Sequence, residues 1–157
     1  MLRTCNFYTS GMHLNKETIK KKISKFLKDY DIGVVSTVHT NGQGTESAVV
    51  GFAETADLEI IFGTSNLARK YKNIKTNPRI SFVIGWSSKL GSLQYEGVAR
   101  ELTGKEKEEK ALNLIAKNVG HKKYLALENQ SYFLVEPTWI RFSDNAGDPP
   151  DSYEITL

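Results

Sequence analysis

Apolar residues between Lys16 and Lys28 recur at helical spacing. Ile19, Ile23, Phe26 and Leu27 fall on one face, with Tyr30 just beyond, and lysines fill the rest. This predicts a helix from an Asn15 cap to about Tyr30. The period then shortens. Ile32–His39 is a β-branched run that reads as a strand, and Thr45–Ala53 reads as a second. Asn41-Gly42 between them is a hairpin signal. The glycines of that turn lie between strands, so they do not form a phosphate loop. A turn around Ala56-Asp57 leads into a third strand, Leu58–Gly63. A short helix follows, with Leu67, Tyr71 and Ile74 as its buried stripe at i, i+4 and i+7. Asn77-Pro78 ends it, because the residue before proline resists helical geometry.

Strands are expected at Arg79–Trp86 and Gly91–Leu102, and Gly97 inside the latter marks a bulge or a sharp bend. Thr103 and Glu106 form a capping-box pattern. The helix they open is expected to run to about Val119, with Ala111, Leu112, Ile115, Ala116 and Val119 as its apolar face. The stretch His121–Asn129 reads as a short helical piece. Ser131–Pro137 and Thr138–Asp144 read as one or two final strands. The polar, proline-bearing tail after Asp144 is expected to lie over the surface.

These elements define a mainly β chain with flanking helices. Short turns join most strands, so an antiparallel sheet of six or seven strands is expected. Regular β–α–β alternation is absent, which argues against a doubly wound sheet. Closure into a small barrel removes exposed edges. The expected organisation is an N-terminal arm (1–14), one domain (15–144) and a C-terminal tail (145–157). The arm is read as loosely held and partly ordered by a partner chain.

Composition narrows the class. The chain has 157 residues, 39% hydrophobic and 25% charged, which suits one domain with a real core. No apolar run approaches the roughly 20 residues of a membrane span. The N-terminus lacks the apolar stretch of a secretory signal. Cys5 is the only cysteine, so an intrachain disulfide and a cysteine-rich metal site are excluded, and a cytoplasmic location fits. His13, His39 and His121 are scattered without metal-ligand spacing and read as surface or turn residues. The net charge of +3 comes largely from Lys16–Lys28, which reads as a solvated helix face. Nothing resembling a groove-reading element accompanies it, so a nucleic-acid partner is not expected. Walker loops, nucleophile elbows and His-Glu zinc motifs are absent. Glu106, Glu108 and Glu109 belong to a polar helix face. Any redox or group-transfer chemistry would therefore reside in a cofactor.

One stretch stands out: Thr64 to Pro78, TSNLARKYKNIKTNP. Arg69 and Lys70 fall in the first turn of the predicted helix. The N-terminal end of a helix carries partial positive charge, so each cation there costs roughly 0.3–1 kcal/mol. A docked anion reverses that sign. Backbone N–H groups, the hydroxyls of Thr64 and Ser65 and both cations would then converge on it, and phosphate is the obvious candidate.

The order of elements resembles the pyridoxamine 5'-phosphate oxidase-like family of FMN-binding split barrels. The resemblance runs from about Gly33 to Asp144. It rests on the Asn41-Gly42 turn, SAVVGFA, the strand ending FGTS, ARKYKNIKTNPRISFVIGW, EGVAREL and LVEPTWIRFSD. It implies that Arg69 and Lys70 bind the 5'-phosphate of FMN, with Gly63, Thr64 and Ser65 beside them. It further implies that main-chain groups around Ala48, Val49 and Val50 face the flavin ring, and that Ser92 and Gln94 contact the cofactor. The implied assembly is a homodimer with FMN at the interface, which brings Trp139 and Arg141 toward the partner's site.

Two departures limit the implied activity. Family members that oxidise pyridoxamine phosphate place basic side chains in the second strand, where this chain has Ala48 and Ala53. Their C-terminal Arg and His for the substrate phosphate have no counterpart after Arg141. Vitamin B6 oxidation is therefore not expected. The expectation is an FMN-dependent oxidoreductase that accepts a hydride at flavin N5 from a small-molecule donor. Alternatives are a deazaflavin- or haem-binding split barrel, and a flavin-binding module without turnover.

Overall fold

A computed structural model describes residues 14–148 and 150–157; Cys5, His13 and the rest of the expected N-terminal arm lie outside the described residues apart from Leu14. Helix α1 spans Lys16–Lys28. The Asn15 side chain accepts the Thr18 N–H at 2.8 Å, so the polar residue preceding the periodic run caps the helix as its chemistry dictates. Ile23, Phe26 and Leu27 are buried on its inner face.

Seven strands follow: β1 (Ile32–Val38), β2 (Thr45–Glu54), β3 (Ile60–Ser65), β4 (Arg79–Ser87), β5 (Gly91–Glu101), β6 (Gln130–Asp144) and β7 (Asp151–Thr156). Helix α2 (Arg69–Thr76) joins β3 to β4. Helix α3 (Gly104–Lys117) and a 3-10 segment (Val119–Tyr124) join β5 to β6. All described pairings are antiparallel, in the order β3-β2-β1-β4-β5-β6-β7, and β3 also pairs with β6. Six strands thus close into a barrel, and β7 extends the sheet beyond it. The antiparallel barrel expected from the sequence is the observed fold.

Strand β6 explains the split. Its first half, Gln130–Val135, closes the barrel against β3. Its second half, Trp139–Asp144, leaves β3 and carries β7 instead. The switch falls at Pro137, where a bulge opposite Glu96 and Gly97 leaves Thr138 as the extra residue. Proline lacks an N–H for the ladder, so a bulge is where β6 tolerates it. A Cβ on Gly97 would lie 2.5 Å from the Glu136 carbonyl oxygen, so this bend needs glycine.

The barrel interior is filled by Phe52, Phe62, Phe82, Tyr95 and Phe133 among others. A second, smaller cluster joins Ala53, Ile61, Tyr132 and Leu134 on the outside of β2, β3 and β6 to Leu102, Ala111 and Leu114. This second layer places α3 over the barrel wall.

Four local expectations are corrected. Leu67 precedes α2 and is exposed, so the buried stripe is Ile74 with Asn73 and a half-buried Tyr71. Thr103 occupies the N-cap position of α3 without a side-chain cap bond, and Glu106 instead pairs with Arg100 at 2.5 Å. On α3, Leu112 is exposed and Leu114 buried, and the helix stops at Lys117, leaving an exposed Val119 in the 3-10 segment. The tail is not a loose cover: Asp151–Thr156 is a strand that pairs with Trp139–Asp144.

Candidate cofactor site

The candidate site begins where β3 turns into α2. The Asn66 N–H donates to the Asn129 carbonyl at 2.8 Å, and the Ala68 N–H donates to the Ser65 carbonyl at 3.1 Å. Ser65 Oγ accepts the Leu67 N–H at 3.2 Å, so this hydroxyl is already turned into its own loop. The N-cap position is Ala68, which supplies no capping oxygen, and the first turn of α2 holds no acid. Arg69 and Lys70 are its first two residues. The positive end of the helix thus carries two cations in its first turn and no side-chain cap bond, an arrangement that an anion stabilises. Lys70 is half-buried and pairs with no carboxylate among the described residues.

Arg69 is 76% exposed, yet its Nε lies 3.2 Å from Glu46 Oε2. That carboxylate is itself held from inside. Asn73 Nδ2 donates to Glu46 Oε2 at 3.3 Å and to Thr37 Oγ1 at 3.0 Å. Asn73 is 4% exposed and Thr37 1% exposed, so this link closes the end of the barrel beneath α2. A depression of about 210 Å³ beside it is lined by His39, Thr40, Asn41, Arg69, Lys72 and Asn73.

Strand register sorts the remaining expected residues onto faces. Val49, Val34, Val83, Gln94 and Arg141 lie opposite one another in a single row across β2, β1, β4, β5 and β6. A parallel row runs through Ser47, Ser36, Ser81, Glu96 and Trp139. Both rows lie on the outside of the barrel, since their neighbours Val35 and Phe82 fill its interior. The outer face is apolar in part: Val49 is 64% exposed, and Val83 and Trp86 are also exposed. Ser92 and Gln94 share this face. Ala48 and Val50 alternate with Val49 and point inward, so they can offer main-chain groups only.

Thr64 is buried and lies on the inner side with Phe62, opposite Ser131 of β6. The outer side of Gly63 is covered by this chain itself, because a Cβ there would meet Gln130 Nε2 at 2.5 Å and Tyr132 Cε1 at 3.1 Å. Tyr132 Oη is buried with no hydrogen-bond partner among the described residues. Arg69 follows the end of β3, where Ser65 pairs with Gln130, whereas Trp139 lies nine residues further along β6, roughly 30 Å at about 3.3 Å per residue. Trp139 and Arg69 of the same chain are therefore not brought together.

Periodicity did not mark Glu46, Asn73 or Thr37 as site residues. The usable signal was Asn73, a polar residue beside Ile74 on the inward side of an amphipathic helix. A buried amide needs partners, and one of the partners here, Glu46, is the carboxylate that pairs with Arg69.

The family described as Pyridoxamine 5'-phosphate oxidase matches residues 19–144. The chain belongs to this family. No curated protein matches the chain. Among solved structures, the general stress protein 26 of Bacillus anthracis is 22% identical with a TM-score of 0.68, and the match covers 88% of this chain and 98% of that one. A haem-binding protein of Mycobacterium smegmatis is 16% identical with a TM-score of 0.74, covering 89% of this chain and 59% of that one. The haem storage protein HutZ of Vibrio cholerae is 16% identical with a TM-score of 0.64, covering 74% and 88%. The chain thus spans about three fifths of the Mycobacterium smegmatis protein. These likenesses establish the split-barrel fold. No helix among the described residues is long and apolar enough to cross a membrane.

Proposed function

We propose that this protein binds FMN as a homodimer and serves as a flavin-dependent oxidoreductase. The supporting observation is the start of α2: an uncapped N-terminus carrying Arg69 and Lys70 directly after β3. The residues fit the phosphate end of the cofactor. Arg69 pairs with Glu46 through Nε, which leaves both terminal guanidinium nitrogens for an anion, and Lys70 adds a second cation without a carboxylate partner among the described residues. They also fit the ring end, where Val49 and Val83 offer an apolar outer surface beside the polar Ser92 and Gln94. The same surface suits a second subunit, and a homodimer is the reading that lets Trp139 and Arg141 approach an Arg69 site at all. Bound flavin would supply two-electron acceptance, and the chain would anchor the phosphate, bury one face of the ring and shape the cleft for a small-molecule donor.

The test is the chromophore that copurifies, followed by titration with FMN. Arg69→Ala with Lys70→Ala should weaken FMN binding by about a hundredfold or more, because each charge-assisted contact contributes about 1.5–3 kcal/mol. Unchanged affinity in that folded double variant would refute the site. Haem is the second reading, motivated by the haem-binding and haem storage proteins among the structural neighbours. A haem spectrum in the purified protein, with no uptake of FMN, would decide for it.

A further inference from the structure

We propose that Glu46 is a positioning residue for the phosphate-binding arginine. The inference rests on the cofactor reading above and adds a residue that neither the sequence pattern nor the family match singles out.

An exposed arginine is free to sample many rotamers, and binding an anion must freeze them. Arg69 is largely exposed but does not stand free, because its Nε forms an ion pair with Glu46 Oε2 at 3.2 Å. Glu46 is mostly buried, with 15% of its side chain exposed. Its Oε2 also accepts from Asn73 Nδ2 at 3.3 Å, and the same Asn73 amide donates to the buried Thr37 hydroxyl at 3.0 Å. The contact therefore runs outward from a fixed point: barrel wall, helix amide, carboxylate, arginine. The carboxylate uses the Nε edge, which is the edge a bidentate phosphate does not need. The geometry has an electrostatic cost, since a carboxylate beside the site repels a phosphate. Orientation must outweigh that repulsion for Glu46 to assist binding, and the two effects separate experimentally. Glutamine keeps an oxygen for Arg69 and Asn73 while removing the charge. Alanine removes both.

The experiment measures FMN and riboflavin affinity by flavin fluorescence for wild type, Glu46→Ala and Glu46→Gln, with thermal unfolding of each and the Arg69 Nε–Hε resonance in the ligand-free protein. Riboflavin lacks the phosphate and so reports the ring site alone. Expected for Glu46→Ala is about tenfold weaker FMN binding, riboflavin affinity within twofold of wild type, and a displaced Hε signal. Expected for Glu46→Gln is FMN binding at least as tight as wild type. FMN affinity unchanged in Glu46→Ala overturns the role, as does an equal loss for riboflavin, which would mark a purely structural residue. Glu46→Gln as weak as Glu46→Ala overturns it too. Wild-type protein that binds no FMN refutes the cofactor reading itself, a result distinct from FMN binding that ignores Glu46.

Discussion

The imidazole of His121 lies against Gly51, leaving no room for a Cβ beneath its Nε2 and Cε1. Asn118 approaches the same spot, with Nδ2 3.2 Å from that Cβ position and 3.5 Å from Asp31 Oδ2. The 3-10 segment is thus seated on the outside of β2 through the missing side chain of residue 51. Gly51→Ala should force the tip of the His121 side chain off the strand, and because that tip can swing aside the cost should be about 1 kcal/mol, the low end of the range for overpacking. His121→Ala should recover most of that loss when combined with Gly51→Ala. A double-mutant cycle by urea unfolding measures the coupling, and additive costs would show that the two residues do not compete for this space.

The same contact makes stability depend on pH. Burial pushes the His121 imidazole below its ordinary value; Asp31 opposes that shift and Lys123 adds to it. The folded state therefore favours the neutral ring, and the unfolded chain takes up the proton first. The stabilisation is complete above about pH 6.5 and is lost as pH falls through the lower native value. His121→Gln should flatten the pH dependence of thermal stability in that window. Glu101 acts further down the scale. Burial pushes its carboxyl up, but hydrogen bonds from Ser131, Lys75 and Tyr71 and the Lys75 charge together bring it below the ordinary carboxylate value. Its stabilisation is present above about pH 4.5 and fades as acid protonates it. Unfolding curves for His121→Gln and Glu101→Gln should therefore lose different limbs of the acid profile.

Period carried the legible part of this fold. Strands buried on one face repeat every second residue, and Phe52, Phe62 and Phe82 fall where alternation puts them. The hairpin between β1 and β2 is read just as directly, although its turn bond runs from the Gly42 N–H to the His39 carbonyl and the strands pair only up to Val38 and Thr45. What escaped was set by tertiary context. Leu67 has helical spacing, but the chain must still turn out of β3 at that point, so the helix begins after it. Leu112 and Leu114 are equally apolar, and only the position of β3 beneath α3 selects Leu114 for burial. Strand β7 carries Asp151, Ser152 and Glu154 and looks like a polar tail, yet an open edge of β6 is enough to order it. At the site, the Arg69–Lys70 pair was visible because it violates a local electrostatic rule. The contacts that link Arg69 to Glu46, Asn73 and Thr37 span three elements, and no local pattern encodes them.

A second long-range ion pair is the most exposed to test. Lys117 at the end of α3 donates to Glu54 Oε2 on β2 and to the Leu27 carbonyl at 2.8 Å, and its Nζ stands 4.4 Å from the centre of the Phe52 ring. The side chains are only 16% and 11% exposed. Water cannot replace the lost partner at such a site, so Lys117→Met should cost about 3–5 kcal/mol by leaving the Glu54 carboxylate buried and unpaired. Replacing both residues, Lys117→Met with Glu54→Leu, should cost much less, because no charge then remains to be desolvated. Urea unfolding of the two single variants and the double variant separates the cases. A single substitution costing under about 1 kcal/mol would mean that Glu54 relaxes to solvent, and that α3 is held to the barrel by Ala111 and Leu114 rather than by this pair.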